Sequence, residues 1–249
     1  MNPITYYKKC ICEYNGTAYS GWQFQYGQST VQGEIEAALK LLYGERISTV
    51  ASGRTDAGVH ALAQVFSFST NIYRSNHAIA QALNSMLPRD IAILRAEDAE
   101  EGFNAQFCAL HKTYKYMILN RQSRAALEYD RMWFRRDYID VDRMNALLQV
   151  ICGTHDFSAF CVAKSLKENC VRTVNFAEAH RDGEQITVRV NASGFLHNMV
   201  RIIVGTAVDF SIKKMTEADM KNMLDSRNRR RGGVTAPAQG LYLEEVFYD

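Results

Sequence analysis

The order of hydrophobic patterns along the chain predicts an α+β protein built from two pseudo-repeated domains, each an antiparallel sheet backed by helices. Two observations carry that expectation. The first half reads strand, helix, strand, strand, helix, strand, the split β-α-β-β-α-β arrangement, and the second half partly repeats it. The chain also has 249 residues, 47% of them apolar and 22% charged, which is comfortable for two domains and enough to bury a substantial core.

The elements follow in order. Tyr6 to Tyr14 is a strand in which Cys10 and Cys12 alternate toward the core. Thr30 caps a helix from Val31 to Leu42, with Ile35, Leu39 and Leu42 at helical spacing and Gly44 ending it. Ile47 to Ala51 and Val59 to Phe68 are strands, Ala78 to Met86 is a helix stopped before Pro88, and Ile91 to Arg95 is a strand. In the second half, Lys112 to Leu119 is a strand and Val141 to Ile151 a helix. Asn175 to His180 and Gln185 to Val190 form a hairpin around Asp182-Gly183. Phe195 to Phe210 and Glu217 to Leu224 are helices, and Leu241 to Phe247 is the closing strand. The domains are expected at residues 1–104 and 105–249, and two such sheets side by side would offer a long cleft between them.

Composition narrows the function classes. The formal net charge is only +2, so any nucleic-acid signal must come from local clusters. The six cysteines form no C-x-x-C pair, which fits reduced thiols in a cytoplasmic protein. MNPITYYKKC has no apolar signal-peptide core, and the most apolar run, Met199 to Val208, is interrupted by Arg201, so no membrane segment is expected. There is no G-x-G-x-x-G, Walker loop, zinc-deaminase signature or G-x-S-x-G, so neither cofactor nor metal is expected. His155 with Asp156 suggests a metal pair only weakly against ordinary local packing.

The stretch from Ser52 to His60, SGRTDAGVH, sets charges on a loop read as flexible between two apolar strands. Gly53 and Gly58 permit backbone angles that other residues resist. Asp56 could simply cap its own turn. The apolar flanks instead set the loop at a cleft, and Arg201 is a candidate partner in the other half. From Val190 to Val208 Arg201 is the only formally charged residue, on a helix face shared with Asn198 and Gly205. A buried guanidinium is costly without an acid, so Arg201 either snorkels to an edge or pairs with a carboxylate, which would keep Asp56 ionised. Lys112-Thr113-Tyr114-Lys115-Tyr116 sets both tyrosines on one face of a strand. That suits a half-buried strand and a stacking platform for a base equally. Arg227-Asn228-Arg229-Arg230-Arg231-Gly232-Gly233 looks like a mobile basic loop suited to phosphate, with Lys164, Lys167 and Arg172 adding charge elsewhere.

Gly53-Arg54-Thr55-Asp56-Ala57-Gly58-Val59-His60-Ala61 resembles the signature of the tRNA pseudouridine synthase A family. The resemblance extends over nearly the whole chain. It includes Gly21-Trp22-Gln23, Thr30-Val31-Gln32-Gly33, Leu83-Asn84, Leu87-Pro88-Arg89-Asp90-Ile91, the Lys112 to Tyr116 strand and Gly153 to Phe160. It continues through Gly194-Phe195-Leu196, Met199-Val200-Arg201, Val204-Gly205-Thr206, Ala236-Pro237 and Gly240-Leu241. It implies the pseudouridine synthase fold and isomerisation of uridine to pseudouridine in the tRNA anticodon arm, at positions 38, 39 and 40. It also implies a homodimer and a basic cleft holding the active site. On that pattern Asp56 is the catalytic aspartate and nucleophile, and Arg201 its partner. Tyr114 packs against the target base in reach of its C5 proton, and Arg54 helps displace the base from its stack. Two departures concern tRNA docking rather than chemistry. Gln106 stands where the family usually carries arginine, and Asp209-Phe210-Ser211 replace a turn richer in glycine and arginine. A non-catalytic RNA-binding module would not need Asp56, Tyr114 and Arg201 together. A phosphotransferase with an aspartate nucleophile would need a metal or phosphate cradle.

Overall fold

The computed structural model describes residues 4–166 and 168–249; the first three residues and Lys167, counted above among the basic residues, lie outside them. The protein is α+β and divides into two compact units, Met1–Leu110 with Leu243–Asp249, and His111–Tyr242.

In the first unit the elements are β1 (Tyr6–Tyr14), α1 (Val31–Tyr43), β2 (Val50–Ala51), β3 (His60–Thr70), α2 (Asn76–Met86) and β4 (Ile91–Asp98). Their strands run β4-β1-β3 with β2 on β3, every pairing antiparallel. Cys10 and Cys12 are buried on one face of β1, and burial pushes the Cys10 thiol up to about 12. Lys8 lies one step further along that face and is also buried. Its ammonium donates to Asp98 at 2.5 Å and Asn76 at 2.8 Å, and this bond holds the Asp98 carboxyl below its ordinary value. α1 buries Ile35, Leu39 and Tyr43, so Tyr43 completes the face that Leu42 was expected to fill. The strand expected from Ile47 shrinks to two residues, because the Thr49 N–H and hydroxyl both donate to Glu36 on α1 at 2.8 and 3.0 Å. The last strand, β10 (Leu241–Phe247), returns the chain to this unit beside β3. There the Leu110 N–H donates to Phe247 at 2.9 Å, the Tyr248 hydroxyl donates to the Ala105 carbonyl at 2.8 Å, and the Tyr248 ring packs on Phe103.

The second unit holds β5 (His111–Asn120), β6 (Trp133–Arg135), α3 (Val141–Gln149), β7 (Gly153–Asp156), β8 (Val171–Asp182), β9 (Gln185–Ala192), α4 (Met199–Ile212) and α5 (Glu217–Ser226). Its strands run β5-β9-β8-β7. The purely antiparallel expectation fails where β6 pairs parallel with β5, Ile118 opposite Trp133. The β8–β9 hairpin turns at Gly183, as Asp182-Gly183 predicts. α4 is apolar nearly all round and correspondingly buried. It begins at Met199 rather than Phe195, because Asn198 takes a left-handed backbone (φ 61°, ψ 11°) that an α-helix cannot propagate through. It also runs past Phe210, so Asp209-Phe210-Ser211 belong to the helix and not to a turn after it. Among the described residues no helix is long and apolar enough to cross a membrane.

The helix caps read from sequence have their expected geometry. Thr30 accepts from the Gly33 N–H through its hydroxyl, and Gly44 takes φ 75° at the other end of α1. Thr30→Ala should lower the unfolding free energy by about 1 kcal/mol. Urea titration checks this, and an unshifted midpoint would show that the cap contributes nothing.

Candidate active site

The loop between β2 and β3 carries Arg54 and Asp56, and nearly every backbone anchor of that loop comes from elsewhere in the first unit. Thr55 is buried; its hydroxyl meets the Tyr14 hydroxyl at 2.7 Å and its carbonyl accepts from the Trp22 N–H at 3.0 Å. Buried Gln64 accepts from the Ser52 hydroxyl and donates to the Gly53 carbonyl at 2.7 and 2.9 Å. The Gly58 N–H donates to Tyr19, and the Val59 N–H closes a turn on the Asp56 carbonyl. Between buried Thr55 and Val59, Asp56 is half-buried, while Arg54 is exposed. His60 is structural: its ring is buried and Nδ1 accepts from the Gly16 N–H at 3.0 Å, so that nitrogen carries no proton.

Two glycines outside the loop let main chain approach main chain. A Cβ on Gly16 would sit 1.9 Å from the Val59 carbonyl oxygen, and one on Gly21 (φ 92°) 2.6 Å from that of Thr55. These approaches correct the reading of the loop as flexible. Of its two glycines only Gly58 (φ 76°) uses the left-handed region; Gly53 does not. The loop is a fixed platform for its charges.

Tyr114 and Arg201 belong to the second unit. Tyr114 and Tyr116 share a face of β5 and have different surroundings. Tyr116 is wholly buried, donates to the Pro237 carbonyl at 2.7 Å, meets Trp133 edge-on and is kept protonated by burial. Tyr114 is 7% exposed and meets Phe195 edge-on at 4.9 Å. Lys115 takes the other face, its ammonium over the Tyr242 ring. Lys112 shares the tyrosine face, and burial brings its ammonium down to about 8.

Arg201 is half-buried near the start of α4. Its Nε donates to the Ala236 carbonyl at 2.7 Å and its Nη1 to Asn198 Oδ1 at 2.9 Å, while the Ala236 N–H donates back to the Arg201 carbonyl at 3.0 Å. Gly205, one turn on, makes this contact feasible, since a Cβ there would lie 1.9 Å from the Val234 carbonyl oxygen. Asp209, a further turn on, accepts from the Val234 N–H at 2.9 Å, and Thr206 accepts from the Gly233 N–H at 3.1 Å. Arg201, Gly205 and Asp209 thus fasten one face of α4 to residues 233–236.

The same fastening corrects the expectation of a mobile basic loop. Arg229–Arg231 form a 3-10 turn, Arg229 donates to the Thr235 hydroxyl at 3.0 Å, and Arg227 pairs with Asp156 at 3.2 Å. Arg227, Arg230 and Arg231 are exposed. His155 and Asp156 are used locally: the imidazole Nε2 bonds the Cys152 carbonyl and the carboxylate accepts from Ser158. Among the described residues no group of three or more His, Cys, Asp or Glu could hold a metal ion. Gln106 is exposed and its N–H bonds Asn104. Sequence reasoning missed the roles of Asn198 and Asp209 as anchors. The signal for the first was an asparagine immediately before an apolar helical run.

A family model described as tRNA pseudouridine synthase matches residues 11–107 and 147–249. Asp56 falls in the first segment and Arg201 in the second, and Tyr114 lies between them. The chain is 43% identical over 249 residues to tRNA pseudouridine synthase A of Geobacillus kaustophilus (strain HTA426), covering 97% of this chain and 94% of that protein. It is 40% identical over 243 residues to tRNA pseudouridine synthase A of Bacillus subtilis (strain 168), covering 97% and 98%.

Two predictions follow from the geometry. Gly21→Ala should destabilise the protein by about 1–3 kcal/mol, because a left-handed backbone and a contact with the Thr55 carbonyl are both violated. Gly27→Ala, also at positive φ but with open space around it, is the control in the same denaturation experiment. The second concerns Lys112. An amine titrating at about 8 in the fold and about 10.4 when unfolded binds fewer protons folded than unfolded between those values. Stability therefore rises with pH across that window. The stability of Lys112→Met relative to wild type should fall as pH is raised from 8 to about 10.4; a constant difference would show that burial does not shift this amine.

Proposed function

Because the chain belongs to the tRNA pseudouridine synthase family, we propose that it isomerises uridine to pseudouridine at positions 38, 39 and 40 of the tRNA anticodon arm. It is an isomerase. Its two halves act as pseudo-repeated domains, it works as a homodimer, and the site lies in a cleft between the domains.

The reaction breaks the bond from N1 to the ribose C1′ and makes one from C5 to the same carbon. The proton on C5 is lost and N1 gains one, so atoms and electrons balance within the nucleotide. What the reaction asks of the protein is an ionised carboxylate, a group to receive the C5 proton and a way to hold the uridine out of its stack. We assign the carboxylate to Asp56, acting as nucleophile, and its cationic partner to Arg201. Tyr114 lies against the target base and takes the C5 proton. Arg54, exposed on the Asp56 loop, occupies the space the base leaves or grips a phosphate. The exposed Arg227, Arg230 and Arg231 suit the phosphates of the anticodon arm.

The observation that supports this most directly is the fixed loop around Asp56. Thr55 and Val59 are buried and bonded on either side while Asp56 keeps partial exposure. A carboxylate on such a platform meets its substrate with no loop ordering left to do.

The test is tritium release from tRNA labelled at uridine C5. Asp56→Asn should reduce release below about one-thousandth of wild type while tRNA binding stays essentially unchanged. Turnover retained in a preparation free of host enzyme would remove Asp56 from the chemistry.

A further inference from the structure

Three non-glycine residues among those described have positive φ: Asn198, Lys214 and Arg227. Lys214 and Arg227 follow the C-terminal ends of α4 and α5, where a left-handed residue is an ordinary way to stop a helix. Asn198 stands at the opposite kind of position, the N-cap of α4, where an extended backbone is the rule. An extended asparagine there would normally accept from a backbone N–H of the first turn. Asn198 makes no such cap bond. Its Oδ1 accepts instead from the side chain of Arg201, three residues on, at 2.9 Å. Both the preferred backbone and the usual cap are given up, and the contact made in their place is to one guanidinium.

That guanidinium is held at two of its edges. Asn198 takes Nη1, and the Ala236 carbonyl takes Nε at 2.7 Å. Two bonds to different nitrogens of a planar, rigid group fix the direction of its plane, which one bond cannot do. Ala236 is itself immobilised by the bond from its N–H to the Arg201 carbonyl and by the close passage of residue 234 over Gly205. The next carbonyl, that of Pro237, is held by the Tyr116 hydroxyl. The clamp therefore rests on a rigid helix and a rigid strand.

We propose that Asn198 is a positioning residue for the reaction: its left-handed backbone and its carboxamide oxygen aim the Arg201 guanidinium, and it acts only through that group. The inference rests on the reading of Arg201 as the cation serving Asp56. It goes beyond that reading in assigning catalytic consequence to a neutral residue that touches neither substrate nor carboxylate.

The experiment compares full-length wild type, Asn198→Gly, Arg201→Lys and the double variant. Glycine adopts the left-handed backbone without strain, so Asn198→Gly removes the side-chain acceptor and keeps the local path of the chain. Its melting temperature and tRNA affinity should match wild type, while kcat for tritium release falls by about 10- to 100-fold with KM unchanged. In the double variant the loss should be no greater than in Arg201→Lys alone, because a group that acts through Arg201 has nothing left to orient. Wild-type kcat in Asn198→Gly would overturn the proposal. So would a double variant slowed by the product of both single effects, which would mark Asn198 as acting independently. The control separates the two layers. A slow Arg201→Lys with a fast Asn198→Gly removes the clamp and leaves the functional reading intact. A fully active Arg201→Lys removes the role of Arg201, and the clamp falls with it.

Discussion

Main chain packed directly on main chain, with no side chain between, fixes both candidate functional segments. Gly16 and Gly21 bring residues of the first unit against the carbonyls of Val59 and Thr55, and Gly205 brings α4 against that of Val234. Contacts this close admit no rotamer adjustment, so position is set by covalent geometry and a few short hydrogen bonds. The loop bearing Asp56 and the segment bracing Arg201 are thus immobile for the same reason. Either would have to rebuild its backbone to move.

The polar groups around these segments divide by burial. Gln64, Thr55 and Tyr116 are buried and spend their hydrogen-bonding capacity on backbone carbonyls or on the hydroxyls of Ser52 and Tyr14, which is what removal from water demands. Asp56 and Arg201 are only half-buried. The basic segment follows the same logic. Arg229 is tied inward to Thr235 and Arg227 to Asp156, while Arg230 and Arg231 extend into solvent from an ordered turn. A charge displayed from a fixed base loses less freedom on meeting a phosphate than one on a loose tail.

Most of the architecture is legible in the sequence where an element is long enough for its period to repeat. β1, α1, β3 and α2 announce themselves because several turns or alternations of apolar residues fall in register, and Thr30 and Gly44 punctuate α1. β6 and β7 are not legible, because three and four residues give no period. The start of α4 is hidden because Phe195 and Leu196 continue its apolar pattern, and only the backbone of Asn198 marks the break. At the site, residue types identify the Asp56 loop, since few loops carry arginine and aspartate between two glycines. Its rigidity is invisible there, because Tyr14, Gly16, Gly21 and Gln64 are spread over other elements. Asp209 is the instructive case. As a departure from a family pattern it pointed to RNA docking, whereas its carboxylate accepts from the backbone of Val234.

The path of the chain through its closing strand has a bearing on how the protein forms in the cell. Leu243–Asp249 belong to the first unit, where Phe247 accepts from Leu110 and Tyr248 locks onto Ala105 and Phe103. A ribosome makes residues 111–240 before it makes that strand. Until that strand is made, the earlier-made first unit waits with one edge of β3 uncovered.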